Sequence, residues 1–169
     1  MRPCARGVAV AALCAACAGE PKDPCEAPDD TALSFVCADG LGLEIGRGAD
    51  AFTALAAGED LLLHRGAQGL QHIELALRAA VAADALVIDR AMASVRPWRD
   101  GVALTPLEVG VTLVPVDDHV EVRGLLYVIA DPEAWVGAAV RLDVALAPVG
   151  LDQEGRASHR GVVQWAPEL

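Results

Sequence analysis

His64 and His72 flank a turn that contains Gly66 and Gly69, and Glu74 follows His72 on the same alternating register. If the flanking runs are adjacent strands, the two imidazoles approach each other across the turn with Glu74 beside them, a donor set suited to zinc or copper. The plainer use of these residues is structural: His72 and Gln68 can hydrogen-bond the turn backbone and hold its shape. Asp117, Asp118 and His119, and separately Asp152 and Glu154, offer oxygen ligands of the kind calcium takes. Neither group has the acid count or spacing of a dedicated calcium loop, and hairpin turns favour Asp for geometry alone. Ser34, Ser94 and Ser158 lack a Gly-x-Ser-x-Gly setting, and no phosphate-cradling or dinucleotide-binding glycine motif occurs. Ser158 and His159 are sequence neighbours, which on a strand point to opposite faces and cannot act as nucleophile and base. The expectation is a non-catalytic chain without a cofactor. Trp98, between Arg96 and Arg99, is the one concentrated aromatic and basic spot. It reads either as a recognition patch for an acidic or sugar partner or as a Trp packed beneath an Arg stem.

The segments that must carry these residues read mostly as strands. Ile73, Leu75 and Leu77 alternate with His72, Glu74, Ala76 and Arg78, the period of a half-buried strand. Similar alternation over 107–116, 120–130, 139–148 and 157–165, and shorter pieces at 34–37, 43–46, 52–55 and 60–64, are separated by Gly- and Asp-bearing turns. Residues 70–96 contain neither Gly nor Pro and are rich in Ala, so a helix across 73–92 (an α+β fold) competes there with two strands at 71–79 and 85–94. The whole pattern points to an all-β antiparallel sandwich of about 8–9 strands.

Composition bounds the partners. A formal charge of −11 argues against nucleic acid and anionic lipid surfaces, which demand concentrated positive charge. Residues 1–16 have the anatomy of a signal peptide: Arg2 and Arg6, then an apolar stretch, then small residues. Residues 17–32 form an acidic, Pro-containing tether, and the folded domain is expected over 33–169. Cys25 and Cys37 are left as an even pair beyond the leader and read as one disulfide, worth about 2–3 kcal/mol in the chain-entropy model. No apolar run reaches the roughly 18 residues a spanning helix needs.

Ala15, Ala16 and Cys17 resemble the end of a bacterial lipobox, which implies lipidation of Cys17. Cys14 stands where the lipobox usually has Leu, and Ala16-Cys17-Ala18 also suits an ordinary signal peptidase. Ala18 after the cysteine resembles lipoproteins sorted to the outer membrane. Further along, Leu43-Glu44-Ile45-Gly46, Phe52 with Leu55 and Gly58, Gly66 to Gly69 followed by His72, Gly124-Leu125, Asp131-Pro132, Gly137 and the paired segments 140–147 and 155–163 occur in an order that resembles an uncharacterised family of exported bacterial proteins, often lipoproteins. The resemblance spans about residues 41–165, although Ala67 and Leu70 stand where relatives often carry Pro and a second Gly. It implies an immunoglobulin-like sandwich and supplies no activity. The expectation is therefore an envelope lipoprotein, anchored to the membrane only by lipid, at the bacterial outer membrane or its periplasmic face. It would bind an envelope protein or glycan, or serve as a structural module. The alternatives are a soluble periplasmic or secreted protein, and a metal-binding or hydrolytic domain built on His72 and its neighbours.

Overall fold

A computed structural model describes residues 41–66, 69–80 and 88–167. Eleven strands make up nearly all of its regular structure: β1 (Leu43–Arg47), β2 (Thr53–Ala54), β3 (Leu61–Arg65), β4 (Gln71–Ala80), β5 (Arg90–Arg99), β6 (Val102–Ala103), β7 (Leu107–Thr112), β8 (Val114–Val116), β9 (His119–Ile129), β10 (Ala139–Pro148) and β11 (Gly155–Trp165). Among the described residues the only helical element is a 3-10 turn, Pro132–Ala134. The fold is all-β and sandwich-like. Residues 71–80 and 90–99 are extended, so the helical alternative for 73–92 fails wherever the chain is described; residues 81–87 lie outside the described set, as does the expected strand at 34–37.

Two sheets stack face to face. In sheet I, β4 is central: β9 lies along one edge, while β1 and β3 share the other, β1 beside 76–79 and β3 beside 71–73. In sheet II the order is β7, β5, β10, β11, with β6 beside the end of β5. Alternation decides which side chains face inward. Leu63, Ile73, Leu75, Val95, Leu142 and Leu146 are essentially fully buried between the sheets, and each contributes about 1.5–3 kcal/mol of transfer free energy.

Two strands pass from one sheet to the other. The first part of β11 pairs with β10 in sheet II, and its last residues, Val163–Trp165, pair in parallel with β3 in sheet I. On the opposite side, the expected strand over 107–116 breaks at buried Leu113: β7 pairs with β5 in sheet II, and β8 pairs with β9 in sheet I. Each side of the sandwich therefore has a seam spanned by one switching strand.

Residues 48–60 are an excursion between β1 and β3, which otherwise run in the same direction along β4. They cross the outer face of sheet I, where Phe52 lies under the Arg78 guanidinium, 4.2 Å from its centre. β9 accommodates them with a bulge: Arg123 and Gly124 stand opposite Ala76 alone, and Gly124 has φ of 62°. An L residue pays steric strain in that left-handed conformation, so glycine is the natural occupant.

Candidate functional site

β8 covers the outer edge of β9 only over Glu121 to His119. Beyond it, β9 has no ladder partner on that side among the described residues, and β7 has none on the edge away from β5. Between these two edges lies a cleft of about 490 Å³. Leu107, Val109 and Val111, the inward residues of β7, form one wall, and Val122 and Leu125 of β9 contribute to the other. The apolar surface continues over the lip, where Leu126 and Val128 project from β9 and are 44% and 51% exposed. Tertiary forces set this shape: Leu113 must be buried, so the chain leaves sheet II before β7 can approach β9.

Both ends of the cleft are fastened. At the lower end the Tyr127 hydroxyl donates to the Thr105 carbonyl at 2.9 Å, and the Tyr127 ring packs against Trp135, with ring centres 5.8 Å apart. Burial pushes the Tyr127 phenol above its ordinary pKa, so it remains a donor. At the upper end, the β8–β9 hairpin turns through Asp117 and Asp118, with Asp117 at φ of 50°. Glu121 on β9 is buried, and its carboxylate meets Arg123 at 2.7 Å, His119 Nε2 at 3.2 Å and Arg78 at 3.4 Å. Burial pulls the Glu121 carboxyl upward, but the hydrogen bonds from Arg123 and His119 and the charges of Arg123 and Arg78 outweigh it, leaving its pKa below the ordinary value.

The sequence-predicted residues fall into three groups. His64 and His72 are brought together as register partners, with stacked rings 5.8 Å apart, and Glu74 projects from the same face. His72 makes no hydrogen bond to its turn among the described residues, and Gln68 lies outside them; the Gly66 amide donates to the Leu70 carbonyl at 2.7 Å. No group of three or more His, Cys, Asp or Glu side chains among the described residues stands close enough to hold a metal ion as placed. The Trp98 patch divides. Arg96 and Trp98 share the outer face of sheet II, where Arg141 lies 4.5 Å over the Trp98 ring, whereas Arg99 turns away to donate to the Ala134 carbonyl and lies over Trp135. Adjacent strand residues alternate faces, which is why positions 98 and 99 cannot act together. Ser158 and His159 also part as expected, Ser158 donating to Asp143 and His159 buried. Cys17, Cys25 and Cys37 lie outside the described residues.

The sequence did not reveal what His159 does. Its Nε2–H donates to the Glu59 carbonyl at 2.8 Å, while the Glu59 carboxylate accepts from the Ala56 amide at 2.8 Å and pairs with Arg47. These bonds pin the 48–60 excursion onto β11, and Glu59 is held below its ordinary pKa, chiefly by the Ala56 amide. Nor did the sequence reveal the cleft, since the alternation in β7 and β9 is that of fully paired strands. Comparison of the chain with family models, curated proteins and solved structures finds no match to any of them.

Proposed function

We propose that this chain is a non-catalytic, exported envelope module that binds a partner protein by taking an extended segment of it into the cleft between β7 and β9. The single observation that carries this reading is that two strand edges, unpaired among the described residues, face each other across an apolar cleft. Only an extended polypeptide offers alternating backbone donors and acceptors to such edges, with apolar side chains to fill the wall between them. A glycan fits less well: Trp98, on the outer face of sheet II, lies under Arg141.

The remaining parts of the reading rest on the sequence and topology. The basic and apolar leader, the lipobox-like Cys17 and the acidic tether favour lipid anchoring at the outer membrane, and Cys25 with Cys37 suits an oxidising compartment. The strand orders, β1/β3–β4–β9–β8 against β7–β5–β10–β11, support an immunoglobulin-like sandwich with a split first strand.

Selection of displayed random peptides on the purified full chain tests the reading. The expected result is enrichment of segments with alternating apolar residues whose binding is lost in a folded Val109→Glu variant. Peptides that bind that variant as well as the parent would place recognition elsewhere and overturn the proposal.

A further inference from the structure

The outer face of sheet I carries a second feature that the cleft does not use. His64 on β3 and His72 on β4 stand directly opposite each other, and both project outward because their neighbours Leu63 and Ile73 are buried. Opposed residues on antiparallel strands have β-carbons about 4.5–5.5 Å apart, close enough for two imidazoles to converge on one ion after side-chain rotation. The rings already face each other, 5.8 Å apart and inclined by 20°. Beside them opens a cavity of about 240 Å³ that His64, Glu74 and Asp60 help to line. Arg47, on the same cavity, is paired with Glu59, whereas the Glu74 and Asp60 carboxylates have no ion pair or hydrogen bond among the described residues. The site thus combines two nitrogen donors with carboxylates not otherwise engaged.

We infer that His64 and His72 together chelate a divalent transition-metal ion on the outer face of sheet I. Water completes the coordination, and Glu74 supplies nearby negative charge. Imidazole donors favour Cu²⁺, Ni²⁺ and Zn²⁺ over calcium or magnesium, and Cu²⁺ binds such a pair most tightly. Two protein ligands on the solvent side of a sheet make a site that exchanges its ion freely, unlike a buried structural centre. The site lies on β3 and β4, away from the cleft edges of β7 and β9, so it stands independently of the strand-capture reading.

Copper titration of the metal-free full chain, followed by electron paramagnetic resonance and calorimetry, tests the inference. The expected result is one equivalent bound with a two-nitrogen signature. His64→Asn and His72→Asn should each abolish that signature while His119→Asn leaves it intact. Because both histidines project outward, native circular dichroism in each variant confirms that loss of copper is not loss of fold. Binding that persists in the His64→Asn/His72→Asn double variant, or a parent signature with a single nitrogen ligand, would overturn the inference.

Discussion

The two seams of the sandwich are built from the same device and end differently. At one, β11 moves from β10 to β3, and the approach is close throughout. Gly155 lies against Leu41 and Leu43, and Gly161 lies against the Glu59 carbonyl, positions at which a β-carbon would collide or crowd. At the other, β7 and β8 make the same transfer, but the switch occurs at Leu113 and leaves the β9 edge uncovered below it. The first seam is sealed by glycine contacts, a parallel ladder and His159. Among the described residues the second is fastened at its ends, by the β8–β9 ladder above and the Tyr127–Thr105 hydrogen bond below. In this sandwich the seam with close glycine contacts is shut, and the seam lined by Leu107, Val109 and Val111 keeps a cleft.

The difference can be broken most forcibly at Gly161. Gly161→Val drives a side chain into the Glu59 carbonyl, and overpacking against backbone is expected to lower unfolding free energy by about 3 kcal/mol in urea titration. A loss below about 1 kcal/mol would mean that the sealed seam yields as readily as the open one. The Glu121 cluster, which ties β9 to β4 beside the upper end of the open seam, comes next. Glu121→Gln leaves Arg78 and Arg123 without their shared charge and should cost about 1–3 kcal/mol. The same group gives a pH dependence. Because its folded pKa is depressed, its stabilisation is present above the ordinary carboxylate range and is lost as pH falls through that range and below it. The acid side of a stability–pH profile should therefore flatten in Glu121→Gln; an unchanged acid limb contradicts the assignment.

The smallest effects come from a matched pair. Val163→Thr places a hydroxyl in the fully buried sealed seam and should cost about 1–2 kcal/mol, whereas Val109→Thr in the half-buried wall of the open seam should cost less than about 0.5 kcal/mol. Equal losses would show that the second seam is closed in solution.

Local pattern made much of the architecture legible. Alternation placed Ile73, Leu75 and Leu77 of β4 inward and His72, Glu74 and Arg78 outward, but Ala76, expected with the outward set, is fully buried; the Gly66–Gly69 turn brought His64 opposite His72. The break in 107–116 was not legible, because Leu113 continues the alternation and only its burial between two sheets reveals the transfer. The outward pairing of Arg141 with Trp98 depends on the register of β5 with β10, which joins segments far apart in the chain. For the same reason Arg99, adjacent to Trp98 in sequence, belongs to a different surface. His159 shows the limit most plainly: its partner is a backbone carbonyl a hundred positions earlier, and no residue type marks a carbonyl.

Residue-resolved hydrogen exchange on the full chain, alone and with a selected peptide, tests the central claim most directly. In the free protein, the β9 amides between Val122 and Val128 that point away from β4 should exchange far faster than those of β11, and the peptide should slow them selectively. If those β9 amides are already as protected as the amides of β11 before any peptide is added, the second seam is filled in solution and the cleft is not a binding site.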